Sequence, residues 1–407
     1  MNLMFMGLIY PTEELKNISS LSKSPLQMQV DNFQKLLIEG LSRHIGNDNI
    51  SICNALPVGT FPNHYKKIYL RGNSWGKNRF NVAAINLPFF KQKMREILAE
   101  KAILKWYKQN EKNRNILLYS LYLPFMNAIV KAKETYSDLN ISIIVPDIPT
   151  DLGLASGRTG LLGYMENKMG KKSIELCRYF DNFILLTEPM KDVLPLNKNA
   201  KYTVVEAIAP NAYPTPNKND VIECFEKYKL PFNKPTVLYT GTIQKELGIG
   251  DLVDAFKAEK LKNVNLVLCG GGNMASEVKS ASENYGNIHY LGFVPREDAL
   301  LLQAEASILI NPRKPEGEYT KYSFPSKSME YLLSGKPVLC YKLEGISAEY
   351  DDHFYYIGDD LADSILEILN LNDAEKAEKA KKAKAFVLEN KNAEAQSKKI
   401  VDLIKSK

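Results

Sequence analysis

The stretch 322–340 of this 407-residue chain places side chains capable of chemistry at helical spacing: Tyr-Ser-Phe-Pro-Ser-Lys-Ser-Met-Glu-Tyr-Leu-Leu-Ser-Gly-Lys-Pro-Val-Leu-Cys. Pro325 suits a first helical turn, where its missing N–H costs nothing. Met329, Leu332 and Leu333 fall on one face; Ser326, Lys327, Glu330 and Ser334 fall on the other. Gly335 is placed to end the helix, Pro337 stops it continuing, and 338–340 reads as a buried strand. A helix N-terminus offers free N–H groups and the positive end of the macrodipole, which together make an anion site. Glu330, one turn in from Ser326, can accept hydrogen bonds from two neighbouring hydroxyls, such as those of a ribose. An ordinary core helix with a solvated glutamate has the same spacing.

Two glycine-rich loops point to the same chemistry. Gly241-Thr242-Ile243-Gln244-Lys245 follows an expected strand at 236–239, and Gly270-Gly271-Gly272 follows one at 264–269. Glycine lets the backbone approach a phosphate closely. Lys245 would add charge for a diphosphate. Tight strand-to-helix turns and a solvated lysine produce the same composition. In the first half, Val-Pro-Asp-Ile-Pro-Thr-Asp at 145–151 closes an expected strand. Ligands of doubly wound sheets sit at such carboxyl ends, which makes Asp147 and Asp151 candidates for substrate contact. The alternative is that they cap a turn.

These residues need a scaffold that brings strand ends together. Apolar runs at 50–53, 68–70, 82–85, 116–119, 141–145, 183–186 and 204–206 read as strands. Helical patterns at 26–45, 123–137 and 160–178 alternate with them, and Thr187-Glu188 reads as the cap of a further short helix. The Pro- and Asn-rich segment 209–219 reads as a linker. Beyond it, strands at 236–239, 264–269, 288–291 and 307–310 alternate with helices at 249–258 and 296–304. The tail 361–407 reads as three helical segments, the last with an apolar stripe at Ile400, Val401, Leu403 and Ile404. Strands alternating with helices predict an α/β protein with doubly wound parallel sheets. The expected domains are 1–208, 209–385 and a terminal helix within 386–407.

Bulk properties exclude several classes. The chain is 45% hydrophobic and 25% charged, with no apolar run long enough to span a bilayer. Its five scattered cysteines form no C-x-x-C pair, which fits a reduced, cytoplasmic compartment. Four separated histidines argue against a histidine metal site, and no metal is expected. The net charge of +6 suits an anionic ligand and does not by itself indicate nucleic acid. Residues 89–114 carry eight basic and three acidic side chains beside Phe89, Phe90, Trp106 and Tyr107. That composition reads either as a basic amphipathic helix on an anionic membrane surface, at the inner face of the cell membrane, or as a helix packed on the sheet.

The order Gly-Thr-Ile…Lys-Glu-Leu-Gly-Ile, Leu-Cys-Gly-Gly-Gly, Leu-Gly-Phe-Val-Pro and Phe-Pro-Ser-Lys-Ser-Met-Glu-Tyr-Leu-Leu-Ser-Gly-Lys-Pro-Val resembles the family-4 retaining glycosyltransferases. It is most similar to bacterial members that build capsular, exopolysaccharide or cell-wall glycans. The resemblance is strong in the second half and weaker in the first. It implies the GT-B fold, with two Rossmann-like domains facing across a cleft and a final helix crossing back to the first. Glu330 then matches the ribose-binding glutamate, and the turn Ser323, Phe324, Pro325, Ser326 matches the diphosphate or donor-sugar turn. Phe293, Val294 and Pro295 match the segment whose backbone reads the nucleobase, and Gly241 and Thr242 match the phosphate loop. The family often carries a second glutamate eight positions before the first, where this chain has Tyr322. Thr242 and Leu247 stand where an arginine and a lysine are usual, which leaves Lys245, Lys327 or Arg313 for the diphosphate. Asp147 takes the place of a histidine near the reaction centre. The implied activity is transfer of a hexose from a UDP- or GDP-linked sugar to a glycan or lipid-linked acceptor, with Asp147, Lys245 and Tyr322 at the reaction centre. A nucleotide-sugar epimerase and a non-catalytic nucleotide-binding partner are the alternatives.

Overall fold

A computed structural model describes residues 1–148, 160–210, 213, 216–232 and 234–406. The chain divides into two compact units, residues 1–208 with 393–407, and residues 209–392.

Unit 1 runs β1 (Asn2–Gly7), α1 (Leu15–Leu21), α2 (Met28–Ile45), β2 (Ile50–Asn54), β3 (Tyr69–Leu70), β4 (Ser74–Gly76), β5 (Arg79–Asn81), β6 (Ala84–Ile85) and α3 (Phe90–Gln109). It continues with β7 (Arg114–Tyr119), α4 (Leu123–Thr135), β8 (Asn140–Val145), α5 (Gly160–Leu176), β9 (Asn182–Leu185), α6 (Met190–Val193) and β10 (Lys201–Val204). Eight strands form one sheet in the order β10-β9-β8-β7-β1-β2-β5-β4, parallel except at the β4–β5 edge. The central strands are apolar on both faces because helices cover both, as a parallel sheet requires. Strand order reverses between β1 and β7. At the amino ends a row of amides ties neighbours together: Asn115 donates to the Asn2 carbonyl at 3.2 Å, Asn140 to Asn115 at 3.1 Å, and Asn182 to Asn140 at 2.9 Å.

Three expectations in this half change. The segment 82–85 does not join the main sheet; β6 pairs antiparallel with β3 instead, and β5 takes the place beside β2. The last strand lies at β10, ahead of 204–206. Pro189, not Thr187 or Glu188, precedes α6.

Unit 2 runs α7 (Lys218–Lys227), β11 (Thr236–Thr240), α8 (Ile249–Lys257), β12 (Asn265–Cys269), α9 (Ala275–Asn284), β13 (Ile288–Gly292), α10 (Arg296–Glu305) and β14 (Ile308–Asn311). It ends with α11 (Ser326–Ser334), β15 (Val338–Cys340), β16 (Tyr355–Tyr356), α12 (Leu361–Asn370) and α13 (Asp373–Asn390). Its six parallel strands lie in the order β13-β12-β11-β14-β15-β16, with the reversal between β11 and β14. Leu266, Leu268, Ile308, Ile310, Ile249 and Phe256 are among the side chains that fill the space between sheet and helices.

Because α13 remains in unit 2 as far as Asn390, only α14 (Ala393–Lys405) returns to unit 1. Its stripe of Ile400, Val401, Leu403 and Ile404 joins the core formed by Leu37, Leu41 and Ile52. The crossing against α2 is close enough to require glycine: a Cβ on Gly40 would stand 2.1 Å from the Ala393 carbonyl oxygen.

Candidate active site

In an open α/β sheet the crevice lies where strand order reverses, beyond the carboxyl ends of the flanking strands. In unit 2 those ends are the loops after β11 and β14. The first holds Gly241, Thr242 and Lys245; the second holds Arg313 and leads into α11. The loops touch through a residue without a side chain. Gly248, at φ +75°, would put a Cβ 2.0 Å from the Pro312 carbonyl oxygen.

The two glycine loops are one packed unit. The N–H of Gly241 donates to the Cys269 carbonyl at 2.9 Å, and that of Ile243 to the Gly271 carbonyl at 3.0 Å. A Cβ on Gly270, at φ +134°, would meet the Gly241 carbonyl oxygen at 1.8 Å, and one on Gly272 would meet that of Ile243 at 2.1 Å. Part of the glycine content therefore serves the contact between loops, and part leaves backbone near the surface: Thr242, Gly272 and Lys245 are exposed. Gly271 lies under the ring of Phe293, which is 88% exposed and projects beside Val294.

Helix α11 forms the second wall. Pro325 is its N-cap and Ser326 its first residue, one position later than the sequence suggests. Gly335 ends it in the left-handed conformation at φ +74°. Met329, Leu332 and Leu333 are buried, as the spacing predicts, together with Ser328 and Tyr331. Among the described residues no carbonyl accepts the N–H groups of Ser326 and Lys327, while that of Ser328 donates to the Pro325 carbonyl at 2.8 Å. The helix start thus retains donors for an anion.

Glu330 is half-buried and held from two sides. Lys327 Nζ lies 3.0 Å from its Oε1, and the Gln303 amide donates to the same oxygen at 2.8 Å. Gln303, on α10, is wholly buried and in turn accepts from the Tyr213 hydroxyl at 2.9 Å. Sequence reasoning missed Gln303, because a glutamine on an amphipathic helix carries no motif. Its signal is the absence of solvent around an amide.

The structure changes the cation assignment. Lys327 is committed to Glu330. Arg313 is buried, stacks on Tyr319 with its guanidinium carbon 4.8 Å from the ring centre, and donates to the Ser323 hydroxyl at 2.6 Å. Its Nε has no partner, and burial lowers its pKa. Arg313 therefore stands at the α11 entry with a charge that no carboxylate offsets among the described residues. Tyr322 is buried, its hydroxyl 3.5 Å from a Glu318 oxygen, and Phe324 is buried beside Tyr350 with ring centres 5.5 Å apart. Phe324 thus anchors the turn, and its side chain is not a free donor contact.

Asp147 belongs to unit 1, just past β8. Solvent reaches it, yet the protein around the carboxyl is dense enough to raise its pKa by desolvation. It also raises the pKa of the buried Tyr119 hydroxyl, behind the burial of that ring. Asp151 lies outside the described residues. Among the described residues no three His, Cys, Asp or Glu side chains group closely enough to hold a metal ion, and no helix is long and apolar enough to cross a membrane.

This architecture has counterparts. Residues 220–385 match the family model described as glycosyl transferases group 1. Among solved structures, a sucrose-phosphate synthase from Thermosynechococcus elongatus is 14% identical, with a TM-score of 0.63 over 99% of this chain and 98% of that one. Anabaena Alr3699/HepE in complex with UDP is 13% identical, with a TM-score of 0.62 over the whole of both chains. A trehalose-6-phosphate protein from E. coli bound with UDP-2-fluoro glucose is 10% identical, with a TM-score of 0.63 over 99% of each. Among curated proteins none matches this sequence. The chain has the GT-B fold, and its second unit carries the domain that matches glycosyl transferases group 1.

Proposed function

We propose that the protein transfers a hexose from a UDP- or GDP-linked sugar, with retention, to a glycan or lipid-linked acceptor in surface-polysaccharide or glycoconjugate synthesis, as family-4 enzymes do. The observation that carries the donor assignment is Glu330, oriented by Gln303 and Lys327 one turn inside an α11 start with unpaired N–H groups. In this reading the carboxylate accepts from the two ribose hydroxyls, and the N–H groups of Ser326 and Lys327 meet the diphosphate. Arg313 and Lys245 supply positive charge, and Phe293 and Val294 border the base. Neutralising a departing diphosphate with fixed dipoles and a cation needs no metal. Asp147 and Tyr322 are the residues proposed nearest the transferred sugar.

Binding of UDP- and GDP-sugars is tested by thermal shift, since a ligand of the folded state stabilises it in proportion to RT ln(1 + [L]/Kd). Release of nucleoside diphosphate, measured with excess EDTA present, tests turnover. Stabilisation by a sugar nucleotide together with metal-independent release supports the reading. Binding without release supports a non-catalytic partner, and loss of release on chelation counts against metal-free transfer.

Membrane contact through 89–114 is proposed in a narrower form. Phe89, Phe90 and Ile97 are exposed, whereas Lys91, Arg95, Ala99, Ile103 and Trp106 face inward. Two of the cations counted toward a basic surface are thus buried. The contact rests on the two phenylalanines with Lys93, and flotation with anionic liposomes at low salt tests it against Phe89→Ser with Phe90→Ser.

A further inference from the structure

The inward face of α3 carries two cations where a helix packed on a sheet ordinarily places apolar side chains. Lys91 is 7% exposed and Arg95 is 2% exposed. Lys91 Nζ donates to the Val58 carbonyl. Arg95 donates to the Leu56 carbonyl at 2.6 Å and to the Tyr122 hydroxyl at 3.0 Å, and its Nε has no acceptor. The Tyr122 hydroxyl in turn donates a hydrogen bond to Gln92 Oε1 at 2.8 Å. Among the described residues no carboxylate pairs with either cation.

Two buried like charges without a counter-ion are costly, several kcal/mol per ion in proteins generally. Capping the Leu56 and Val58 carbonyls does not account for them, because neutral amides would donate equally well. Desolvation, with the Arg95 charge behind it, brings the Lys91 pKa down to about 7. Lys91 spends one of three ammonium donors, and the Arg95 Nε–H is unspent. Their location is also informative. Leu56 and Val58 follow β2, and Tyr122 follows β7, so the pair links the loops after the two strands on either side of β1, whose carboxyl end lies at the reversal of strand order in unit 1. Tyr10, after β1, closes the same loop by donating to the Pro57 carbonyl at 2.9 Å.

We propose that Lys91 and Arg95 form an oxyanion site in unit 1 that takes a phosphate or carboxylate carried by the acceptor. The anion supplies the missing counter-charge, receives the unspent Lys91 and Arg95 donors, and positions the acceptor at the sheet's ligand-binding edge. The acceptor assignment rests on the transfer reading above; the anion site itself does not.

The test reads the site locally. In full-length protein labelled with 15N-arginine, the Arg95 Nε–Hε resonance is assigned by its loss in Arg95→Lys, and inorganic phosphate and glucuronate are titrated separately. A saturable shift of that resonance is expected with at least one of them. A shift with phosphate alone identifies a phosphorylated acceptor, and one with glucuronate alone an acidic sugar. Lys91→Gln, which keeps a donor for Val58 but no charge, is expected to weaken the binding tenfold or more while circular dichroism stays native. Lys91→Met serves as a second variant should the glutamine form fail to fold. No shift with either anion, or equal affinity in the Lys91 variant, overturns the proposal and leaves the cations as loop caps. Anion binding without any sugar transfer sinks the transfer reading alone. Transfer to neutral acceptors without anion binding sinks this proposal alone.

Discussion

The side-chain amide of Gln303 donates to Glu330 at 2.8 Å from a position that water does not reach. In the proposed reading, the carboxylate that accepts from the two ribose hydroxyls is thereby fixed in orientation before ligand arrives. A hydrogen bond to a charged group contributes roughly 1.5–3 kcal/mol. Gln303→Leu is expected to weaken sugar-nucleotide binding at least about tenfold, with little change in kcat once the donor saturates. Calorimetric titration of the nucleotide checks this. An unchanged affinity would show that Lys327 alone holds Glu330.

Arg313 and Lys327 separate by their partners. Lys327 is paired with Glu330, whereas Arg313 has an unpartnered Nε at the α11 entry. If Arg313 holds the diphosphate as proposed, Arg313→Lys is expected to lower kcat/KM more than Lys327→Met does, because a lysine cannot reproduce the planar fork of a guanidinium. Steady-state kinetics of both variants, with nucleotide affinity measured alongside, decides the order.

The contact between glycine loops predicts a stability effect. Gly270→Ala places a methyl 1.8 Å from the Gly241 carbonyl at a backbone angle unfavourable for alanine. A loss of at least about 2 kcal/mol is expected, together with loss of nucleotide binding. Gly286→Ala, where no atom lies within 4 Å, is the control and is expected to be neutral or slightly stabilising. Thermal melts of the two variants give the comparison.

Lys91 links stability to pH. Its folded pKa of about 7 is below the unfolded value, so between pH 7 and 9 the unfolded chain holds a proton that the folded chain has released. Stability from this group therefore rises with pH across that window, and is lowest below it, where the buried ammonium is charged. Denaturant melts are expected to show this slope in the wild type and its reduction in Lys91→Met.

Asp147 predicts opposite effects on stability and rate. Its raised pKa means that the folded state disfavours the carboxylate, so at pH 7 Asp147→Asn is expected to stabilise the protein. If the ionised group acts beside the transferred sugar, the same change lowers kcat, about a hundredfold for a lost charge contact. The acidic limb of the wild-type pH–rate profile then vanishes in the variant. Equal kcat in the two proteins would remove Asp147 from the reaction centre.

Local rules carried much of this protein. The α11 face of Met329, Leu332 and Leu333, the stop at Gly335, and the glycine loops after β11 and β12 follow from helical spacing, left-handed backbone tolerance and apolar strand runs. Each depends on neighbours within a few residues, which a sequence displays directly. Strand 82–85 read poorly for the complementary reason: two-residue strands gain nothing from periodicity, and pairing partners decide whether they exist.

Tertiary structure alone decided the partners of charge. Composition counts Lys91 and Arg95 with a basic surface, and Lys327 with a diphosphate site. Packing turns the first two inward onto carbonyls of the loop after β2 and commits the third to Glu330. It also recruits Gln303 from another helix. Charge and polarity act through space at a few ångströms, and residues brought that close are often far apart along the chain. The stretch 322–340 therefore displayed its helix, its stop and its polar face by itself, and the fold determined which partners those polar side chains have.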